Sequence, residues 1–139
     1  MATKSVVIAF GRFNPPTTGH AKLVDFVQRE ADKRQADAII FPSQTEKERK
    51  KNPKNPLPFR EKVGFLKQFF PQVAWNANES IRTFFDALGM CSLKYDEVYL
   101  VAGSDRVEGF DALRKYIKPT GRKGGTDIIL KKFVICLLD

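Results

Sequence analysis

The residues best suited to chemistry stand together near the amino terminus, in the run Gly11-Arg12-Phe13-Asn14-Pro15-Pro16-Thr17-Thr18-Gly19-His20. A short β-branched stretch precedes the run and a helical apolar period follows it, so it reads as a strand-to-helix turn. A glycine at a strand end lets backbone approach a phosphate closely. The prolines fix a rigid loop at positions where no backbone donor is needed. His20, in the first turn of the next helix, would stand among N–H groups and a helix dipole that already favour anions. Thr17 or Thr18 can supply a hydroxyl and cap that helix. Every part of the turn suits a phosphate.

Two further segments carry candidate residues. Lys54-Asn55-Pro56-Leu57-Pro58-Phe59-Arg60-Glu61 closes a basic stretch over residues 44–58. Lys54 and Arg60 fit either a loop that meets substrate phosphates or a solvated charged loop, as most charge runs are. Val101-Ala102-Gly103-Ser104-Asp105-Arg106 follows another apolar stretch. Asp105 there suits either sugar hydroxyls or the N-cap of a following helix. Phe13 and Trp75 could stack on a ring, although isolated aromatics more often belong to the core, where Trp75 is placed.

The elements that must position these residues alternate in type. Strands are expected over residues 6–10, 38–41, 73–75, 97–102 and 128–138. Helices are expected from about residue 18, over 59–70 with Val63, Leu66, Phe69 and Phe70 as the apolar stripe, over 79–88 closed by Gly89, and over 106–117. Strands alternating with helices imply an α/β, Rossmann-like three-layer sandwich with a mainly parallel sheet of about five strands. In such a sheet ligands collect beyond the carboxyl ends of the strands, where the strand order reverses. The three segments above all fall just after strands.

Composition narrows the class. The 139 residues fit one domain, and 42% hydrophobic beside 29% charged residues is the mix of a soluble globular chain. No apolar run is long enough to span a bilayer and no secretory signal is seen, so a cytoplasmic protein without membrane contact is expected. Cys91 and Cys136 form no CxxC pair, and a single histidine excludes a His/Cys zinc site. No metal-ligating residue set is expected. The net charge of +8 favours an anionic partner: nucleotide phosphates, a nucleic-acid backbone or an acidic surface.

Residues 11–20 resemble the signature of the HxGH nucleotidyltransferases, within the cytidylyltransferase-like and NMN adenylyltransferase-like superfamily. That signature, G-x-F-[DN]-P-x-[HT]-x-G-H after the first strand, has all its fixed positions here, in the TxGH form with Thr17. Residues 54–61 are similar to the middle segment of archaeal-type NMN adenylyltransferases, with Leu57-Pro58 inserted, and Gly103-Ser104-Asp105 resembles the family's later G-[AS]-D turn.

The resemblance implies nucleotidyl transfer from ATP or CTP to a small phosphorylated acceptor, with adenylyl transfer favoured and pyrophosphate released. It implies His20 and Thr17 as catalytic residues. Gly11, Arg12, Phe13, Asn14, Gly19, Lys54, Arg60, Gly103, Asp105 and Arg106 would bind the nucleotide, and Mg²⁺ would arrive on the substrate. Self-association into a homo-oligomer, covering an exposed last strand, is a further expectation.

The sequence departs from the family in one respect. No I-S-S-T-x-x-R segment follows the last strand, and the Lys-rich residues 120–125, the stretch that might compensate, precede it. On this ground the chain is either a truncated or diverged version, has the element supplied by another chain, or is weak in activity or without it. Two alternatives stand beside the enzyme: a non-catalytic nucleotide-binding module of the same fold, and a basic nucleic-acid binder, which no recognisable module favours.

Overall fold

The computed structural model describes residues 4–13, 20–43, 58–123 and 127–138. Its centre is a five-stranded sheet: β1 (Ser5–Gly11), β2 (Asp37–Pro42), β3 (Ala74–Trp75), β4 (Glu97–Ala102) and, last in the chain, β7 (Lys132–Leu137). The spatial order is β3-β2-β1-β4-β7 and every pairing is parallel. The chain therefore winds outward from β1 to β3, then returns to place β4 on the other side of β1. That reversal is the switch point of a Rossmann-like α/β fold.

The helices explain why the strands can be apolar on both faces. α1 (Ala21–Arg34) buries Val24, Val27 and Ala31. α2 (Phe59–Phe69) buries Phe59, Val63 and Leu66. Both cover the face that carries Val7, Ala9, Ile40, Tyr99 and Val101. α3 (Phe84–Lys94) and the short α4 (Val107–Asp111) cover the opposite face, where Val6, Ile8, Phe41, Val98 and Leu100 point. A β–helix–β path that changes faces at the reversal keeps each crossover right-handed.

Register brings the strand ends into line. β1 pairs Gly11 with Pro42, β2 pairs Ile40 with Trp75, and β4 pairs Ala102 with Leu137. One edge of the sheet thus gathers the exits of all five strands.

Local chemistry fixes several boundaries that hydrophobic periodicity misplaces. α3 starts at Phe84 rather than Glu79, because Thr83 and Asp86 form a reciprocal capping box. It runs through Gly89 to Lys94, since a Cβ at Gly89 would meet nothing within 4 Å and Leu88 and Cys91 keep the helix on the sheet. Residues 106–117 form no single helix. A 3₁₀ turn (Ser104–Arg106), α4 and a second 3₁₀ segment (Ala112–Tyr116) follow one another, and Ile117 leaves to pair with Ile128.

The expected last strand divides into β6 (Ile128–Ile129), paired with β5 (Ile117–Lys118), and β7. The break comes where the Leu130 N–H donates to Lys118 O at 3.0 Å and the Lys131 N–H to Asp96 O at 2.8 Å. Phe69, expected in the apolar stripe of α2, is 50% exposed, and Lys62 takes a buried place instead. Among the described residues, no helix is long and apolar enough to cross a membrane.

Candidate nucleotide site at the strand ends

The switch point lies between the exits of β1 and β4, and the sequence places polar and cationic groups there. Gly11 and Arg12 leave β1, and Gly103 leaves β4 into the 3₁₀ turn that holds Asp105 and Arg106. The Arg106 N–H closes that turn on Gly103 O at 3.0 Å, and its guanidinium lies 5.2 Å from the Phe110 ring centre. Arg12 is exposed. Asn14, Thr17, Gly19 and Lys54 lie outside the described residues.

His20 stands immediately before α1, at its N-cap position rather than inside its first turn, and is half-buried. The first turn of α1 holds no acidic residue, so nothing there neutralises the positive end of a 14-residue helix dipole. The ring is positioned from below. Phe13 meets His20 edge to face, with centroids 4.7 Å apart, and meets Trp75 at 5.3 Å and 89°. Trp75 is anchored by its indole N–H, which donates to Phe70 O at 2.9 Å. Core rings thus reach from α2 to the candidate catalytic histidine.

That arrangement changes the reading of two residues. The Phe13 ring is only 2% exposed and packs in the core. Its backbone takes a left-handed φ of 50°, unusual for a bulky side chain, and this local strain sits beside the site. Gly11 is required by Phe13. A Cβ at Gly11 would lie 2.5 Å from Phe13 Cε2, so glycine makes room for the ring that holds His20.

Lys62 was not legible as a site residue. It is fully buried, and its ammonium donates to Arg12 O at 2.8 Å and Ser43 O at 2.7 Å. These carbonyls follow β1 and β2, so one helix side chain ties two strand exits together. The signal was present in the spacing. Phe59, Lys62, Val63 and Leu66 fall at i, i+3, i+4 and i+7, which puts a lysine inside the apolar stripe of α2.

Arg60, by contrast, is 85% exposed at the start of α2. Its Nε and a terminal nitrogen reach the two oxygens of Glu79 at 3.1 and 3.4 Å. Such an exposed pair contributes about 0–1 kcal/mol and would yield readily to a stronger anion.

Other features lie elsewhere. Lys123, from the Lys-rich stretch, places its ammonium on the carbonyls at the end of α3, including Tyr95 O at 3.2 Å, and 4.0 Å from Asp96. That is the amino edge of the sheet, opposite the switch point. A cleft of about 580 Å³ also lies at the amino edge, lined by Lys4, Ser5, Asp37 and Tyr95 among others. Within it the Tyr95 hydroxyl donates to Asp37 at 2.7 Å. Burial, that bond and the Asp37 charge hold the phenol protonated well above its usual range. Among the described residues, those that follow β1, β2 and β4 do not line this cleft.

The fold is that of a Rossmann-like α/β protein, with a parallel sheet whose strand order reverses between β1 and β4. The chain belongs to the cytidylyltransferase-like family, whose model matches residues 8–132, from within β1 to the first residue of β7. At the level of the family the chemistry is nucleotidyl transfer. No curated protein matches the chain.

Proposed function

We propose that this protein transfers a nucleotidyl group from a nucleoside triphosphate to a small phosphorylated acceptor, with adenylyl favoured over cytidylyl. The observation that carries the reading is His20, held by the Phe13 ring at the amino end of α1 and at the switch point. An acceptor oxygen attacks the α-phosphorus, forming one P–O bond. The bond to the α–β bridging oxygen breaks, and the electron pair leaves with pyrophosphate. Chemistry of this kind asks the protein for positioning and charge stabilisation more than for covalent participation.

In this reading His20 donates a hydrogen bond to the phosphate oxygens as charge builds on the leaving group. Thr17 and the amides after Arg12 grip the phosphates, Arg12 and Arg106 neutralise charge, and Asp105 meets the ribose. Gly11, Asn14, Gly19 and Gly103 shape the loops around the nucleotide, while Lys54 and Arg60 meet the acceptor side.

The described residues contain no group of three His, Cys, Asp or Glu side chains that could hold a metal ion. In this reading Mg²⁺ would come with the triphosphate and polarise its oxygens. The preference for adenylyl transfer rests on the resemblance of residues 54–61, and CTP stands beside ATP in the test. Two free cysteines, Cys91 and Cys136, suit a reducing, cytoplasmic setting.

The test is pyrophosphate release from Mg-ATP and Mg-CTP across phosphorylated acceptors, with wild type and His20→Ala. Loss of one such donor should slow turnover by about 10²–10³. Turnover in His20→Ala as fast as in wild type would remove His20 from the mechanism. Wild-type binding of triphosphate without pyrophosphate release from any acceptor would leave a nucleotide-binding module in place of an enzyme.

A further inference from the structure

Lys62 is harder to explain by stability than by function. It sits among Phe59, Val63 and Leu66 on the buried face of α2, where an apolar side chain of similar volume would pack without removing a charge from water. Burying an ammonium costs stability unless each proton finds an acceptor, and two of the acceptors here are backbone carbonyls at the strand exits. Those exits are already joined once, by the Ser43 N–H donating to Gly11 O at 2.7 Å. Lys62 therefore adds something other than a first link between β1 and β2.

Peptide geometry says what it adds. In a trans peptide the C=O of one residue and the N–H of the next point in opposite directions. When the Arg12 carbonyl is drawn inward to Lys62, the Phe13 N–H is turned the other way. We infer that Lys62 is a positioning residue of the triphosphate site, one that holds the Arg12–Phe13 peptide with its N–H presented to phosphate oxygens and keeps a fixed positive charge behind that peptide. The inference rests on the triphosphate reading above. Lys62 acts through the backbone it anchors and through its field, which is weakly screened because the group is buried. A neutral side chain of similar length should keep the fold and lose both effects.

The experiment uses the full chain, as wild type and Lys62→Met, titrated with Mg-ATP, Mg-CTP and the corresponding nucleosides, with thermal unfolding alongside. Methionine should leave unfolding near the wild-type temperature and weaken triphosphate binding about tenfold or more. Nucleoside binding, which uses no phosphate contact, should change by less than about twofold. A merely structural lysine would instead lower the melting temperature, or weaken both ligands alike.

Unchanged triphosphate affinity in a folded Lys62→Met, or equal losses for triphosphate and nucleoside, overturns the inference and leaves the triphosphate reading standing. A wild type that binds neither Mg-ATP nor Mg-CTP overturns both. If Lys62→Met does not fold, the Nζ resonance of Lys62 in the wild-type chain decides. It should shift on adding Mg-triphosphate and not on adding nucleoside, and an unmoved resonance overturns the inference.

Discussion

Replacing Gly11 with alanine should disturb the site through Phe13. The new Cβ would lie 2.5, 3.0 and 3.1 Å from three atoms of the Phe13 ring, all inside the roughly 3.5 Å at which carbon atoms rest in contact. The ring must therefore move by about 1 Å. It is 2% exposed and bounded by His20 and Trp75, so the movement is resisted on two sides. Overpacking of this kind costs roughly 1–3 kcal/mol. In a chain of this size that lowers the melting temperature by roughly 5–10 °C.

Removing the obstacle should remove the cost. In a Phe13→Ala background the same Gly11→Ala change should be neutral or slightly stabilising, because the backbone φ there is compatible with alanine. Urea unfolding of the four proteins gives the coupling directly, with about 2 kcal/mol expected between the two sites. If Gly11→Ala costs the same in both backgrounds, Phe13 is not what Gly11 accommodates, and the account of how His20 is held is wrong.

Other consequences follow from single residues. Gln35 ends α1 in a left-handed conformation, φ 53° and ψ 42°, in a Schellman arrangement with Ala36 N–H donating to Ala31 O. Gln35→Gly should raise stability by up to about 1 kcal/mol, and a measured loss in chemical denaturation would contradict this.

Burial pushes the Cys91 thiol up to about 12, against a slight opposing pull from Lys94. Below the ordinary value of 9.0 both folded and unfolded thiols are protonated, and stability is unaffected by this group. Above it the unfolded chain releases a proton that the folded chain keeps until about pH 12, so stability falls by about 1.4 kcal/mol per pH unit across that window. Cys91→Ala should flatten that part of the alkaline unfolding profile, and an unchanged slope would refute the assignment.

The parallel sheet was legible because its strands are short, β-branched and closed by glycine or proline, and Val6, Ile8 and Leu100 are fully buried as that pattern implies. The same pattern put the described candidates Gly11, Arg12, Gly103 and Arg106 at or just after strand ends, where the structure also has them. What sequence missed depends on side chains meeting across long separations. Hydrophobicity placed Phe69 inside and left Lys62 outside, but α2 turns by the amount that lets Lys62 reach two carbonyls, and Phe69 becomes exposed. That Gly11 also makes room for a ring was hidden, because Phe13, two residues on, takes a positive φ that periodicity does not reveal. The break before β7 depends on Asp96 and Lys118, which no local pattern around Leu130 announces.

The central claim is that a nucleoside triphosphate binds where β1 and β4 diverge. Backbone amide resonances of the full chain, followed during titration with Mg-ATP and Mg-CTP, test it most directly. The largest shifts are expected on Gly11, Arg12, Phe13 and His20 and on Gly103 to Arg106. Tyr95 and Asp37, at the opposite edge of the sheet, should stay still. Shifts centred on that opposite edge, or none with either nucleotide, would contradict it.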